Sequence, residues 1–408
     1  MMPDTDILIA GGGLNGPALA LALARGGLRV TVVDSRPAPA RAEAGFDGRA
    51  YALALASKRL LMATGVWPRI AQSQPILKIR ASDGEAGQGA APWVLGFDSA
   101  ELEEGPMGFM VEDRHLYAAF LKAMRDEPRI TLLSGETVTA QEAWAQGITV
   151  TLASGQRLSA RLLAGCDGRQ SGTCARAGIR RTGWGYGQTA LVTAIRHEKP
   201  HEGVAHQFFM PSGPLAILPL AGGHHSSIVW SEADATARAI QALDDEGYLT
   251  ALRPRFGDFL GEIALAGARF TYPLNLTLAT SFIAPRVALV GDAAHGVHPI
   301  AGQGLNLGLR DVAALAQVVI EAHRRGEDFG SLTTLDAYQR WRRFDSTTLA
   351  LGMDTVNRLF SNSNPLLRLG RDLGLGAVNA LPGLRRGFMR QAAGLTGDLP
   401  KLLDGKPI

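Results

Sequence analysis

The chain has 408 residues, 46% hydrophobic and 19% charged, a balance that indicates a globular protein and excludes a disordered one. Its formal net charge of +3 is small and forms no long basic block, which argues against nucleic acid as a partner. Cys166 and Cys174 cannot supply a disulfide framework, so we expect a reducing compartment. A chain of this length predicts two intertwined domains or one large α/β domain.

The N-terminal residues predict a βαβ unit. Residues 6–10 form a short apolar run that favours a buried parallel strand. A glycine-rich turn follows, and residues 17–25 read as helix. Residues 29–33 predict a second strand that ends at Asp34. The unit therefore has the layout of a dinucleotide-binding fold.

The turn of this unit carries the spacing G-x-G-x-x-G. Gly11 permits the tight turn, Gly13 lets the backbone approach a pyrophosphate, and Gly16 lets the helix pack closely on the strand. Asp34 can accept hydrogen bonds from a ribose diol. The pattern predicts a dinucleotide ligand and leaves FAD and NAD open, with a glycine-rich turn that binds nothing as the alternative.

Two arginines and one Asp-Gly pair are further candidates for ligand contact. Arg49 follows a turn, and Arg114 begins a predicted helix with Asp113 as its N-cap. Each can reach a phosphate or remain an ordinary surface arginine. Asp167 and Gly168 follow an apolar strand, so this residue pair predicts a turn near the carboxyl end of the sheet.

The region from residue 183 to about residue 272 predicts an inserted antiparallel sheet, whose broad face could cover a flat ligand. We expect one helix over residues 233–249, and irregular structure or short strands over residues 77–97. The predicted strands cover residues 189–196, 205–210, 215–220 and 226–230.

Residues 291–311 lie between an apolar strand at 287–290 and an apolar helical run that begins near Leu305. Their glycines, single proline and helix N-terminus would bring backbone close to something flat and electron-rich. Helices are predicted over residues 309–325 and 335–360. The arginine–leucine segments after residue 364 can either lie on a bilayer surface or pack on the first domain.

Taken together, the βαβ unit, the Asp-Gly turn and residues 291–311 resemble the class A flavoprotein aromatic hydroxylases, which have the fold of p-hydroxybenzoate hydroxylase. Residues 298–311 match the pattern H-P-x-A-G-Q-G-x-N-x-G-x-x-D of the ubiquinone-biosynthesis hydroxylases at every fixed position. Residues 184–188 and 213–220 also resemble the middle domain of that group.

The resemblance implies an α/β fold class, with an FAD-binding dinucleotide fold, an inserted antiparallel-sheet substrate domain and C-terminal helices. The implied FAD-binding domain is discontinuous and comprises residues 1–76, 101–180 and 271–360. The implied substrate-binding sheet domain comprises residues 77–100 and 181–270. Residues 361–408 would form the C-terminal helical segment.

The resemblance also assigns roles to particular residues. Asp34 would bind the adenosine ribose, although the group more often has glutamate there, and Asp292 would bind the ribityl or pyrophosphate part. Pro299 would lie beside the isoalloxazine ring. The further implied cofactor-binding residues are Gly11, Gly13, Gly16, Arg49, Arg114, Asp167, Gly168, Gly302, Gln303, Gly304, Leu305 and Asn306.

Backbone N–H groups from Gly302 to Asn306 would face flavin N1 and C2=O, where donors and a helix dipole stabilise the charge of reduced flavin. Pro299 and His298 are the candidate catalytic residues. His295 and His298 either hydrogen-bond within the turn or transfer a proton to the substrate. The sequence does not identify a catalytic base, and its histidines lack metal-ligand spacing.

The implied activity is hydroxylation of the aromatic ring of a polyprenylated phenol in ubiquinone biosynthesis, with FAD as cofactor. NAD(P)H and O2 would be co-substrates, and a flavin C4a-hydroperoxide would transfer the oxygen. Other ubiquinone-biosynthesis proteins are expected partners, and the expected location is cytoplasmic, at the inner face of the cytoplasmic membrane if the C-terminal segment contacts it. The alternatives are a hydroxylase of a small soluble phenol and a non-catalytic FAD-binding scaffold.

Overall fold

A computed structural model describes residues 3–37, 45–85, 89–297, 302–360 and 378–408. The strands are β1 (Thr5–Ala10), β2 (Val30–Asp34), β3 (Ala50–Ala54), β4 (Gln74–Ile76), β5 (Lys78–Glu85), β6 (Gly89–Asp98), β7 (Gly108–Glu112), β8 (Ile130–Ser134), β9 (Val138–Trp144), β10 (Gly147–Leu152), β11 (Arg157–Gly165), β12 (Arg181–His197), β13 (Val204–Phe209), β14 (Leu215–Pro219), β15 (His225–Ala233), β16 (Ile263–Leu265), β17 (Phe270–Ala279), β18 (Ile283–Ala284), β19 (Val287–Leu289) and β20 (His295–Gly296). The helices are α1 (Asn15–Arg25), α2 (Leu55–Ala63), α3 (Asp113–Arg125), α4 (Gly172–Arg176), α5 (Asp234–Gln241), α6 (Asp245–Phe256), α7 (Gln303–Arg324), α8 (Leu332–Phe360) and α9 (Pro382–Ala392).

A mainly parallel sheet with the strand order β18-β19-β11-β1-β2-β8 forms the first layer. Residues 7–9 of β1 are fully buried, because α1, α3 and α7 contribute side chains to the same core. Parallel strands bring their carboxyl ends to one edge. The N–H of Cys166 therefore donates to Ala10 O at 2.7 Å, and the N–H of Val290 donates to Gly165 O at 2.9 Å. The loops after β1, β11 and β19 are neighbours at this edge.

A second sheet has the order β20-β17-β12-β15-β14-β13-β5-β6, with β16 beside β12. One of its cores is shared with α6, where Tyr248 and Leu252 are fully buried against Leu191 and Ile195 of β12. A separate apolar cluster joins this sheet to β3 and β7 through Met110 and its neighbours. The predicted α/β fold class with an inserted sheet is confirmed.

Two details of the inserted sheet differ from the prediction. The sheet is not wholly antiparallel, because β13 pairs with β5 in parallel, with Val204 opposite Lys78. Residues 77–97 are neither irregular nor composed of short fragments, since β5 and β6 form a long antiparallel pair that begins at Lys78 opposite Asp98. Strand β5 comes from a distant part of the chain, so no local hairpin dictates its direction.

The single helix predicted over residues 233–249 is wrong. The structure has two helices there, α5 and α6, because Asp244 takes an extended conformation between them. Its side chain accepts a hydrogen bond from the N–H of Gly247 at 2.8 Å. This N-cap satisfies a backbone N–H in the first turn of α6. A new helix therefore begins at Asp245 instead of one helix continuing through residues 242–244.

The C-terminal helix α9 is docked on the body of the protein. Met389 is fully buried against Leu102 and Met107. Arg385 donates to Glu101 Oε2 at 2.7 Å. Of the two alternatives for the C-terminal segment, packing against the protein therefore holds for one face of this helix. Among the helices of the described residues, none is both long and apolar enough to cross a bilayer.

Candidate cofactor site

The glycine-rich turn after β1 has two kinds of glycine. Gly11 has φ +108°, and a Cβ there would lie 2.3 Å from Cys166 O. A Cβ on Gly16 would lie 1.9 Å from Gly11 O. At Gly13, by contrast, no atom of the described residues beyond the two chain neighbours lies within 4 Å of a built Cβ. Gly11 and Gly16 are required by the fold, whereas the space at Gly13 is open for a ligand.

The carboxylate of Asp34 lies against this turn. A Cβ on Gly12 would be 2.6 Å from Asp34 Oδ2, so the second glycine of the run is needed to admit the acid. Asp34 is buried, and its Oδ1 accepts a hydrogen bond from the N–H of Arg36 at 3.2 Å. Helix α1 begins beside it with neither a capping side chain nor an acidic residue in its first turn. Its N-terminal N–H groups therefore suit an anion.

The two candidate arginines are both ion-paired within the chain. Arg49 donates from Nε to Asp47 Oδ2 at 2.8 Å, and these hydrogen bonds raise the pKa of Arg49. Its Nη2 also lies 3.7 Å from Asp113. Arg114 donates from Nε to Glu112 Oε2 at 2.6 Å. Contact of either arginine with a pyrophosphate stays a prediction. Each guanidinium group would have to be shared between the pyrophosphate and its present carboxylate partners.

The Asp-Gly pair after β11 organises its own loop. Asp167 Oδ1 accepts from Ser171 Oγ at 2.5 Å. Its Oδ2 accepts from the N–H and Oγ1 of Thr173, both at 2.9 Å. Gly168 has φ +79°, and a Cβ there would meet no atom of the chain within 4 Å. The carboxylate thus shapes the loop that carries Gly168 and its neighbours.

A residue that the sequence analysis missed, Arg169, clamps the turn after β19. It donates from Nε to Asp292 Oδ2 at 3.2 Å and from Nη2 to Val297 O at 3.2 Å. Its Nη1 reaches Asn275 Oδ1 of the inserted sheet at 3.4 Å. Arg181, also missed, donates to Asp292 O at 2.9 Å. Arg169 follows the Asp-Gly pair directly in the sequence, and this position could have identified it as a site residue.

Replacement of Asp292 by alanine should weaken FAD binding. The carboxylate belongs to the turn after β19 and remains half-exposed beside Arg169, and a hydrogen bond to a charged group contributes about 1.5–3 kcal/mol. We expect the Kd for FAD to rise roughly 10- to 100-fold in a fluorescence titration of the apoprotein. Asp336→Ala, which removes an exposed ion pair with Arg340, is the control. An unchanged Kd for Asp292→Ala would show that the Asp292 side chain does not contact FAD.

The turn after β19 packs against α1 and α7 through small residues. Gly291 has φ +65°, and a Cβ there would lie 2.2 Å from Asn15 Nδ2. A Cβ on Gly308 would lie 2.4 Å from the same atom. Asn15, which the sequence analysis did not select, therefore fills the space between the two helices. The close approach brings the N-terminus of α1 and the start of α7 to one cleft.

The N-terminus of α7 is open. Gly302 is its N-cap with φ +64°, and no side chain caps the helix among the described residues. The first turn, which contains Gln303, Gly304, Leu305 and Asn306, thus keeps backbone donors without helical partners. Apart from its neighbours in the helix, no described residue has an atom within 4 Å of a Cβ built on Gly304. The candidate catalytic residues His298 and Pro299 lie outside the described residues.

The side chain of Asn306 fastens this helix start to the β3–α2 corner. Its Oδ1 accepts from the N–H of Ala54 at 2.8 Å and from Ser57 Oγ at 2.7 Å. Its Nδ2 donates to Ala52 O at 2.8 Å and to Gly302 O at 3.0 Å. All four hydrogen-bonding positions of the amide are used inside the protein. Asn306 therefore contributes its backbone, not its side chain, to any ligand.

A buried carboxylate lies behind the turn. Asp311 is fully buried, and its Oδ2 accepts from the N–H of Gly291 at 2.9 Å and contacts His295 Nε2 at 2.5 Å. Its Oδ1 accepts from Arg342 Nε at 2.8 Å. Burial opposes ionisation, but His295 and Arg342 together hold the pKa of Asp311 below its usual value. The group is therefore an anion in the folded protein.

An apolar cluster separates this turn from the far side of the inserted sheet. Leu276 of β17 packs with Val297, with Leu307 of α7 and with Met353 of α8. Next to it, Trp184 Nε1 donates to Asp354 Oδ1 at 3.1 Å. Helix α8 thus covers the sheet strands that carry the Trp184 motif. A ring bound beside residues 291–307 would be screened from water by this cluster.

The donor set fits an extended anionic dinucleotide with a flat ring. Two helix N-termini that no described side chain caps meet at the cleft, and no described residue fills the space beside the glycines where each helix begins. In the described part of the chain no group of three or more His, Cys, Asp or Glu side chains is arranged to hold a metal. The two helix N-termini and the space at the glycines suit the phosphate groups of a dinucleotide.

Comparison with known proteins agrees with this geometry. Residues 4–349 match the FAD binding domain family. The chain is 44% identical to "Ubiquinone hydroxylase UbiL" of Rhodospirillum rubrum over 99% of this chain and 93% of the relative. It is 35% identical to "3-demethoxyubiquinol 3-hydroxylase" of Escherichia coli, over 96% of this chain and 99% of the relative.

Among solved structures, p-nitrophenol 4-monooxygenase PnpA from Pseudomonas putida superposes with a TM-score of 0.80. It covers 97% of this chain and 99% of its own, at 20% sequence identity. The FAD-dependent monooxygenase pqsL from Pseudomonas aeruginosa has a TM-score of 0.73 at 23% identity, over 91% of this chain and 99% of its own. These likenesses describe the fold.

Proposed function

Because the chain belongs to the family of FAD-dependent aromatic monooxygenases that includes the ubiquinone hydroxylases, we propose that it hydroxylates the ring of a polyprenylated phenol in ubiquinone biosynthesis, with NAD(P)H and O2 as co-substrates. The observation that carries the proposal is the 44% identity to a ubiquinone hydroxylase across 99% of the chain. FAD, when bound, supplies the activation of oxygen. The protein binds and orients the cofactor and the phenol, and it keeps water out of the site.

In this proposal the N-terminus of α1 binds the pyrophosphate of FAD, and the open space at Gly13 admits the phosphate oxygens. Asp34 accepts hydrogen bonds from the adenosine ribose. The first turn of α7, from Gln303, presents backbone N–H groups to the pyrimidine edge of the ring. These donors are fixed before the reaction, so charge that develops on the ring is stabilised without rearrangement.

The phenol would lie between the ring and the inserted sheet. The cluster of Leu276, Val297, Leu307 and Met353 supports this placement, because it forms a dry wall next to the turn. Exclusion of water matters here, since water would release the activated oxygen as hydrogen peroxide instead of letting it reach the phenol. The adjacent Trp184, fixed by Asp354, borders the same wall.

The test combines one genetic and one enzymatic measurement. After deletion of the gene, mass spectrometry should find a polyprenylated quinone precursor that lacks one hydroxyl group, which identifies substrate and position together. In purified form, the FAD-loaded protein should oxidise NAD(P)H faster when that precursor is added. Stimulation only by short soluble phenols would favour the small-phenol hydroxylase, and reducible FAD without stimulation by any phenol would favour the scaffold.

Membrane contact is a further part of the proposal. The outer face of α9 exposes Leu381, Leu384 and Phe388, whose exposed fractions are 56%, 47% and 49%. Arg386 is exposed beside them. An apolar stripe with an adjacent arginine suits the surface of an anionic bilayer, where a polyprenylated substrate would partition. We place the protein in the cytoplasm, with this helix at the inner face of the membrane.

A double substitution tests this contact without removing the docked helix. Leu384→Gln with Phe388→Gln should abolish flotation with anionic liposomes, because the two glutamines make the exposed apolar surface of α9 polar. The control is Leu332→Gln with Leu351→Gln, which changes two similarly exposed leucines on α8. Equal flotation of the α9 variant and the unmodified protein would refute a membrane role for α9.

A further inference from the structure

The buried Asp311 joins three separate parts of the FAD-binding half. Its own helix α7 contributes the open N-terminus, Gly291 and His295 belong to the turn after β19, and Arg342 belongs to α8. The exposed fractions of Asp311, His295 and Arg342 are 0%, 1% and 2%. None of them therefore presents a side chain to a ligand in the cleft. Their contacts fix backbone that does.

The hydrogen bonds of His295 indicate the tautomer that it adopts. Its Nε2 lies 2.5 Å from Asp311 Oδ2, and its buried Nδ1 has no hydrogen-bond partner among the residues that the structure describes. A buried N–H without an acceptor costs more than an unpaired lone pair. The proton therefore resides on Nε2 and is donated to Asp311, while Nδ1 carries the lone pair. Through this bond His295 anchors the turn to Asp311.

Arg342 completes the anchor from the other side. Besides Asp311, it donates to Ser346 Oγ at 3.1 Å and contacts Asp345. The same helix accepts the hydrogen bond of Trp184 at Asp354. Helix α8 is therefore a common support for the turn after β19 and for the inserted sheet.

We propose that Asp311 is a positioning residue for FAD, which sets the separation between the turn at residues 291–297 and the N-terminus of α7 through its bonds to Gly291, His295 and Arg342. Both segments border the cofactor cleft, so a change in their separation changes where the ring lies. The inference depends on the FAD site alone and not on the identity of the phenol. It can therefore fail, or hold, independently of the proposed substrate.

The first test replaces Arg342 by glutamine and uses Arg340→Gln as a matched control. Arg340 lies on the same helix, is 78% exposed at its side chain and pairs only with Asp336 among the described residues. At a temperature where both variants are folded by circular dichroism, Arg342→Gln should raise the Kd for FAD at least about 10-fold. The visible absorption bands of its bound flavin should shift, whereas Arg340→Gln should match the unmodified protein in both measurements.

The second test separates positioning from proton transfer at His295. The amide nitrogen of glutamine can occupy the place of Nε2, so His295→Gln should keep the Kd for FAD within about threefold and keep the flavin spectrum. His295→Leu, which cannot donate, should resemble Arg342→Gln. A lower unfolding midpoint with unchanged Kd and spectrum in Arg342→Gln and His295→Leu would overturn the proposal. Normal FAD binding by His295→Gln with lost hydroxylation would support the positioning role of Asp311 and would add a separate catalytic role for His295.

Discussion

Replacement of Gly13 by leucine should abolish FAD binding and leave the apoprotein folded. Among the described residues, no atom beyond the two chain neighbours lies within 4 Å of a Cβ at Gly13, so we expect the side chain to extend into the place of the phosphates without displacing the protein. We expect the Kd for FAD to rise at least about 100-fold. The free energy of unfolding of the apoprotein should change by no more than about 0.5 kcal/mol in urea.

The control for this variant is Gly16→Ala, only three residues away. Its Cβ would lie 1.9 Å from Gly11 O, so the backbone of β1 or α1 must move. Overpacking of this kind costs about 1–3 kcal/mol, and the apoprotein itself should be destabilised. Unimpaired FAD binding by Gly13→Leu would mean that the cofactor does not approach the turn at this glycine.

Replacement of Asn306 by leucine should cause the largest loss of stability. The substitution leaves the N–H of Ala54 and the carbonyl of Ala52 buried without their partners. Each unsatisfied buried group costs about 1–3 kcal/mol, so the free energy of unfolding should fall by roughly 2–6 kcal/mol. Urea denaturation of the apoprotein, followed by circular dichroism, measures this loss.

A graded comparison comes from Ser57→Ala, which removes only the hydroxyl donor to Asn306 Oδ1. One hydrogen bond of this kind contributes about 1 kcal/mol, so the effect should be a fraction of that of Asn306→Leu. FAD should partly restore the stability of Asn306→Leu by mass action if the helix start still binds the ring. Equal losses in the two variants would show that the other three bonds of Asn306 contribute little.

The sequence was most informative where function depends on local backbone geometry. The spacing of Gly11, Gly13 and Gly16 specifies one turn within a single βαβ unit, and the structure contains that unit. The helix start at Gly302 also follows from short-range chemistry, because a glycine with φ +64° can end the turn. In both cases neighbouring residues suffice to determine the conformation.

Long-range partners could not be read from the sequence. Arg342 lies 31 residues from Asp311, and Arg169 lies 123 residues from Asp292, so no local pattern joins either pair. The split between α5 and α6 was missed because Asp244 competes with helix through its side chain, which apolar periodicity does not register. The direction of β13 against β5 likewise depends on a tertiary crossover.

The parallel pairing of β11 with β19, in which Leu163 lies opposite Val287, sets an order of events during synthesis. The ribosome makes β1, β2, β8 and β11 long before β19 and α7, which complete the cleft. Until then β10 covers only residues 157–160 of the outer edge of β11, and residues 163–165 have no neighbouring strand there. Such an edge invites association with other chains. We expect a nascent chain ending near residue 280 to require chaperones and to retain no FAD, so cofactor loading follows the release of the last third of the polypeptide.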